Sequence, residues 1–264
     1  MTLAVDHVHH FDLGSWLVFF AYTTSVVGST VGLACTPLAR NARGEAARVG
    51  WLALAALSIG GVGIWLMHFI AMLGFTTPGM PIRYDIGRTG LSALLAIGAV
   101  FAGLLVFGAR RTYSLWRLLL GGVLMGVAVA VMHYAGMWAL NLKGTVSYDP
   151  ALVALSVLIA VVAATAALWF TVATGSLLLR VLAGLVMGVA VTGMHFTGMA
   201  AVRVNLDPTA PAPAGVEVFT FLLPIFVLAA VALAGTITAV LMAVPGEPGP
   251  VPRVTAREAV GAAS

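Results

Sequence analysis

Three short stretches of the sequence place a histidine between methionines: "WLMHFIAM" from Trp65, "VMHYAGMW" from Val131 and "GMHFTGMA" from Gly193. In each, the order is Met-His-aromatic, with another methionine four residues after the histidine. Imidazole nitrogen and thioether sulfur are ligands that soft and borderline metals prefer. The pattern therefore predicts a metal site whose centre is formed by three side chains: His68, His133 and His195.

The methionines fall into two sets by their helical spacing. Those four residues after each histidine share its helical face, about 40° away, and are candidate ligands: Met72, Met137 and Met199. Those directly before each histidine lie about 100° round the helix and are neighbours in the motif: Met67, Met132 and Met194. Tyr134 is the aromatic residue of the middle copy alone, and we expect it to pack beside the site.

The donor set favours copper, particularly Cu(I), over magnesium, calcium or manganese, because it offers nitrogen and sulfur without a hard oxygen ligand. Zinc on three histidines is also chemically reasonable, and a haem with two axial histidines stays open. A different interpretation is that each histidine joins helices by hydrogen-bonding a carbonyl or hydroxyl group. The repetition of the His-x-x-x-Met face favours one shared ligand.

The composition shows what kind of elements must position these residues. Of the 264 residues, 61% are hydrophobic and only 8% are charged, whereas soluble domains carry about 25% charged residues. With so few charged residues, the outer surface of the protein must face a lipid bilayer. The chain is basic, but its Lys and Arg are scattered, so we expect no nucleic-acid partner. A lone cysteine, Cys35, excludes an intramolecular disulfide and a cysteine-based metal cluster within one chain.

A membrane-spanning helix needs about 20 mostly apolar residues. Seven stretches meet this requirement: residues 13–36, 50–73, 87–109, 118–140, 151–174, 181–202 and 218–243. None shows the alternation of a transmembrane β-barrel strand. The predicted fold is an all-α membrane protein with seven transmembrane helices at 13–243, an N-terminal segment at 1–12 and a flexible tail at 244–264.

Orientation follows from the positive charges. Nine of the 13 Lys and Arg residues lie in the connections after helices 1, 3, 5 and 7, and such residues concentrate in cytoplasm-facing loops. We therefore predict that the N-terminus is outside, that the C-terminus is in the cytoplasm, and that the three motif histidines lie near the outer leaflet. The N-terminal "HVHHF" then lies above them, and His10 is a candidate fourth ligand.

The sequence also repeats internally. "GVLMGVAVAVMHYAGM" at 122–137 aligns without gaps on "GLVMGVAVTGMHFTGM" at 184–199, and "SIGGVGIWLMHFIAM" at 58–72 is a looser third copy. This indicates duplicated helical hairpins, formed by helices 2–3, 4–5 and 6–7. Asp12, Asp85 and Asp149 stand before helices 1, 3 and 5 and are well placed as helix N-caps, whereas helix 7 lacks such an aspartate.

Through its three Met-His-aromatic motifs on alternate helices, nearly the whole chain resembles the bacterial MHYT domain. The stretches "GIWLMHFIAMLGF" and "IRYDI" are most similar to its actinobacterial members. The resemblance implies a multi-pass sensor of the bacterial cytoplasmic membrane, with copper bound by Met and His and with O2, CO or NO as its signal. Its motif residues here are Met67-His68-Phe69, Met132-His133-Tyr134 and Met194-His195-Phe196. Many members continue into cyclic-dinucleotide enzyme domains. The tail here is too short to fold alone, so we expect a separate cytoplasmic output protein.

Two other functions are compatible with part of the sequence. A copper or small-molecule transporter fits the repeats, but a relay of polar residues through the cytoplasmic half is missing. A membrane metalloenzyme is disfavoured because di-iron sites need carboxylates, although a mononuclear copper oxidase stays open. We therefore expect a sensor and not an enzyme.

Overall fold

The computed structural model describes residues 14–77, 81–108, 114–173 and 175–243. Within these ranges, seven helices are long and apolar enough to cross a membrane, which confirms the predicted fold class. They are α1 Trp16–Asn41, α2 Glu45–Met72, α3 Ile86–Gly108, α4 Leu115–Trp138, α5 Pro150–Ala173, α6 Leu177–Ala200 and α7 Val218–Ala243. The segment predicted at 1–12, including His10 and Asp12, and the tail predicted at 244–264 lie outside the described residues.

The even-numbered helices begin three to five residues before the predicted spans. Each of these added turns carries an arginine that hydropathy had assigned to a loop: Arg48, Arg117 and Arg180. The guanidinium of Arg117 donates a hydrogen bond to the carbonyl of Val106 at the end of α3. A long cationic side chain can reach the polar end of a neighbouring helix while its own backbone stays helical.

Four short strands lie in the connections at the end of the bundle where α2, α4 and α6 finish: β1 Arg83–Tyr84, β2 Leu140–Asn141, β3 Gly144–Tyr148 and β4 Val202–Leu206. Strand β1 pairs antiparallel with β2, and β3 pairs antiparallel with β4. An isolated bridge joins Tyr84 to Val216. The strands therefore tie the connections of all three repeats into one cover, which we call the strand cap.

The aspartates before α3 and α5 make equivalent contacts. The backbone N–H of Asp85 donates to the carbonyl of Ala139 at 2.9 Å, and that of Asp149 donates to the carbonyl of Ala201 at 2.8 Å. Their carboxylates accept backbone N–H groups of the first helical turn, from Arg88 and from Ala151 respectively. The two N-caps are thereby confirmed. Helices α3 and α5 therefore each begin at the end of the even helix of the next repeat.

Six of the helices form three equivalent pairs. Helix α2 packs on α3, α4 packs on α5, and α6 packs on α1. A Cβ added at Gly122 in α4 would meet the hydroxyl of Thr165 in α5, and one added at Gly184 in α6 would meet the hydroxyl of Thr30 in α1. Helix α1 therefore takes beside α6 the place that α5 takes beside α4, and a six-helix ring is closed.

Helix α7 lies outside this ring. Only Leu222 and Thr236 of its 26 residues are buried, and its main contacts are with α1 and α2. Phe226 of α7 stacks on Phe20 of α1, with ring centroids 5.6 Å apart. Most of its apolar surface is therefore left to lipid.

Part of α2 is wound as a π-helix, from Leu57 to Leu66. Its Gly60 lies against the backbone of Ala96 in α3 as Gly126 lies against that of Ala160 in α5, since an added Cβ would be 2.7 and 2.8 Å from the respective carbonyl oxygens. From these glycines, eight residues lead to His68 but seven lead to His133. The π-helical segment absorbs the extra residue, because its turns are wider than those of an α-helix.

Candidate metal centre

The three motif histidines meet in the interior of the ring. The Nδ1 atom of His68 lies 3.0 Å from that of His195 and 3.2 Å from that of His133. The three rings are nearly perpendicular to one another, with interplanar angles of 78° to 86°. At most 1% of any of these side chains is exposed. No Asp, Glu or Cys among the described residues joins this group, which we call the histidine trio.

The spacing of the trio fits one metal ion. Nitrogen ligands bind zinc at about 2.0–2.1 Å, and three such ligands around one ion lie about 3.3–3.6 Å from each other in tetrahedral or trigonal geometry. Two of the three Nδ1 separations, 3.0 and 3.2 Å, are slightly shorter than these values. Without an ion, the same separations suit hydrogen bonds between neutral imidazoles, each of which has one donor and one acceptor nitrogen.

The far side of the rings faces glycine. The Nε2 atoms of His68 and His133 are buried and have no hydrogen-bond partner among the described residues. A Cβ added at Gly136 would lie 2.5 Å from the Nε2 of His68, and one added at Gly198 would meet the Nε2 of His133. Both imidazoles thus stand with Nδ1 toward the trio and with the opposite ring edge against a glycine backbone.

All six motif methionines are in the core. At most 3% of each is exposed among the candidate ligands Met72, Met137 and Met199 and the motif neighbours Met67, Met132 and Met194. The first set lies one helical turn beyond the histidines, toward the strand cap. The structure brings the histidines into one group, while a ligand role for the methionines stays a prediction, as does that of His10 outside the described residues.

Tyr134 turns away from the trio's nitrogen atoms. Its hydroxyl lies 2.7 Å from the Oγ of Ser156 in α5, and its ring packs edge-on against Tyr148, with centroids 5.4 Å apart. The equivalent Phe69 packs near Tyr84, with centroids 6.1 Å apart. Tyr84 and Tyr148, which precede the N-caps Asp85 and Asp149, therefore pack against the aromatic residues that follow His68 and His133.

An apolar cavity of about 30 Å³ lies next to the trio, on the side away from the strand cap. The residue one turn before each histidine lines it, as do methionines two turns before His133 and His195: Ile64, Val129, Val191, Met125 and Met187. A cavity of this volume has room for a water molecule, but an apolar lining gives water no hydrogen-bond partners and such cavities stay dry. The space suits a small apolar ligand.

Two ion pairs hold the strand cap, between Arg203 and Asp149 at 2.9 Å and between Arg83 and Glu217 at 2.8 Å. The hydrogen bond from Arg203, with those from the N–H groups of Leu152 and Ala151, lowers the pKa of Asp149 below its usual value. Burial raises the pKa of Tyr84, which lies in the cap on its inner side. The cap thus has an ionic outer surface over an apolar interior.

Sequence reasoning missed the cavity and the glycines behind the imidazoles. The available signal was the third residue after each histidine, which is small in all three copies: Ala71, Gly136 and Gly198. The lining of the cavity was visible as apolar residues at four and eight positions before a histidine, but such residues ordinarily fill a core.

The family model MHYT, described as a bacterial signalling protein N-terminal repeat, matches residues 61–122, 126–184 and 188–250. Each match begins in an even-numbered helix and contains one member of the trio. No solved structure matches the chain.

Curated relatives are signalling proteins. The bifunctional diguanylate cyclase/cyclic di-GMP phosphodiesterase MucR of Pseudomonas aeruginosa is 44% identical over 196 residues, covering 72% of this chain and 28% of MucR. The cyclic di-GMP phosphodiesterase NbdA of the same organism is 38% identical, covering 61% and 21%. The signaling protein YkoW of Bacillus subtilis is 32% identical, covering 80% and 28%. The chain thus spans between a fifth and a third of the length of these relatives.

Proposed function

The chain belongs to the MHYT family, whose model describes N-terminal repeats of bacterial signalling proteins, and on this premise we propose that it is a membrane sensor that binds copper through His68, His133 and His195. The observation that carries the proposal is the approach of their Nδ1 atoms to 3.0 and 3.2 Å. A buried polar side chain within a membrane domain is costly without a partner, and one shared ion would satisfy all three.

Copper is preferred because of the donor set. Three neutral imidazoles with thioethers one turn away and no carboxylate suit Cu(I), and Met72, Met137, Met199 and His10 are proposed as further ligands. Zinc accepts three histidines as well. Haem fits less well, because its axial ligands approach the iron from opposite faces, whereas the Nδ1 atoms of the trio converge on one point.

We propose a diatomic gas, O2, CO or NO, or a change of redox state as the signal. The apolar cavity of about 30 Å³ beside the trio supports a gas. When bound, copper would supply a position for such a ligand and a one-electron change of charge. The chain itself holds the three nitrogen atoms, excludes water by burial and confines the ligand between apolar side chains.

The direction of signalling is part of the proposal. With the N-terminus outside, the trio and the strand cap face the outer leaflet of the bacterial cytoplasmic membrane, and the opposite ends of the helices face the cytoplasm. The receiver would be a cytoplasmic output protein. Two of the relatives are named as enzymes of cyclic di-GMP turnover, and such an enzyme is the receiver we favour.

Metal analysis tests the proposal. The protein is purified in detergent without a histidine tag, loaded with Cu(I) or Zn(II), desalted and analysed for metal per chain. We expect wild type to retain copper, and His68→Ala, His133→Ala and His195→Ala each to lose it. His7→Ala is the matched control, because it also removes one histidine but lies outside the trio. Folded wild-type protein that retains no metal would refute the proposal.

A transporter is the second candidate, since the trio and the cavity lie in line along the interior of the ring. The lining below the trio is apolar, so a hydrated ion would cross it at high cost. Uptake of copper into proteoliposomes measures this directly. Uptake above that of His133→Ala vesicles would favour the transporter.

A further inference from the structure

Gly136 and Gly198 have an unusual environment among the glycines of the ring. At each position, the three atoms nearest to an added Cβ all belong to one imidazole: that of His68 at Gly136 and that of His133 at Gly198. Gly126, by contrast, faces the backbone of Val161 and Ala160. The first two glycines therefore contact the site, whereas Gly126 serves helix packing.

The contacts run in one direction round the ring. The imidazole of His68 in α2 packs against Gly136 of α4, and that of His133 in α4 packs against Gly198 of α6. Each glycine follows its own helix's histidine by three residues. Helices α4 and α6 thus each contribute one imidazole to the trio and one support for the imidazole of the preceding repeat.

We infer that Gly136 and Gly198 are positioning residues, which set how far the neighbouring imidazole stands back from the centre of the trio. This inference rests on the proposed metal site and adds a determinant of its geometry. Because these positions lack a Cβ, His68 and His133 can withdraw far enough to leave space for an ion between the Nδ1 atoms. A side chain there would force the rings inward.

The size of the effect follows from the distances. An ordinary contact to a Cβ begins at 3.4 Å, whereas the Nε2 of His68 would be 2.5 Å from a Cβ at position 136. The ring would have to move by about 0.9 Å, and metal–ligand distances are fixed to about 0.2 Å. Since Nδ1 of His68 is already 3.0 Å from that of His195, the movement would close the space for the ion.

The experiment is a double-mutant cycle on copper affinity. Cu(I) affinity is measured by competition with a chromophoric chelator for wild type, Gly136→Ala and Gly198→Ala. We expect each variant to bind ten- to a hundred-fold more weakly, as is usual when the support of a ligating histidine is lost. Gly193→Ala is the matched control, because an added Cβ there meets nothing within 4 Å, and its affinity should equal that of wild type.

The cycle separates positioning from general packing. His68→Ala loses its copper on desalting, but competition still measures the weak binding that His133 and His195 provide; in this background Gly136→Ala should cause no further loss, while Gly198→Ala should still weaken binding. If Gly136→Ala does not fold, the pair His68→Ala/Gly136→Ala should restore folding, since the ring that the new methyl group meets is gone. Folded Gly136→Ala with wild-type affinity, or a defect that persists without His68, would overturn the inference.

A readout without metal keeps the two proposals distinct. In metal-free protein labelled with ¹⁵N-histidine, Gly136→Ala should shift the imidazole resonances that His68→Ala removes, and Gly193→Ala should not. If wild type binds no copper yet this shift occurs, the metal proposal fails and the positioning role stands. If wild type binds copper and the shift is absent, the positioning role fails alone.

Discussion

Deleting Gly61 tests whether the π-helical segment of α2 serves to absorb one residue. Eight residues lead from Gly60 to His68, against seven from Gly126 to His133. Removing Gly61 gives the first repeat the spacing of the second. We expect α2 to become α-helical throughout, with Gly60 still against α3 and His68 still in the trio.

The displacement caused by a one-residue shift of α2 shows why its helical register decides whether His68 stays in the trio. One residue of α-helix corresponds to a rotation of 100°, and Cα atoms lie about 2.3 Å from the helix axis. An uncompensated residue would therefore move the Cα of His68 by about 3.8 Å, the distance between consecutive Cα atoms, and its ring, farther from the axis, by more. The Nδ1 of His68 lies only 3.0 and 3.2 Å from its two partners, so a movement of this size would break both contacts.

The assay is copper retained per chain after desalting, with folding checked by size exclusion and circular dichroism. The matched control is deletion of Ala128, which shortens the α-helical stretch from Gly126 to His133 and should remove His133 from the trio. We expect the Gly61 deletion to retain copper and the Ala128 deletion to lose it. The opposite result in folded proteins would refute the role given to the π-helical segment.

Three further predictions concern the surroundings of the trio. Asp149→Asn removes the ion pair with Arg203, so its melting temperature should be lower than that of wild type at neutral pH; because the pKa of Asp149 is lowered, this difference should vanish as the pH falls through that pKa. Thermal unfolding across pH measures it, and a difference that persists at the lowest pH would contradict the assignment. Tyr134→Phe loses the hydrogen bond to Ser156 and should cost about 1 kcal/mol of stability without changing copper content, as seen by chemical unfolding and metal analysis. Ala164→Leu fills the cavity and should weaken CO binding to the copper-loaded protein, measured by infrared spectroscopy, while copper stays bound; unchanged CO affinity would exclude the cavity as the ligand's place.

The sequence predicted the features that depend on periodicity and composition. The seven spans follow from apolar length, and the grouping of His68, His133 and His195 follows from their equivalent positions in three repeats. Both are encoded locally, since a helix fixes which residues share a face and how deep they lie. The N-caps at Asp85 and Asp149 are local in the same sense.

Features that depend on contacts distant in sequence could not be predicted. The pairing of α6 with α1 joins Gly188 to Tyr22 and Val26, and no local pattern selects α1 over the adjacent α7. The strand cap arises because backbone groups in the connections must find partners, although their sequences read as polar loops. The π-helical segment depends on such contacts too, since Gly60 of α2 and Gly126 of α4 lie against equivalent turns of α3 and α5.

The closure of the ring by α1 and α6 has a consequence for how the protein is made. Of the described helices α1 is synthesised before the other six, yet its partner in the ring is α6, and contacts of such long sequence separation form late. The trio, whose third histidine lies on α6, is completed in the same step. A chain that stops before α6 holds two histidines in an open ring, so the ability to bind metal would mark a finished assembly.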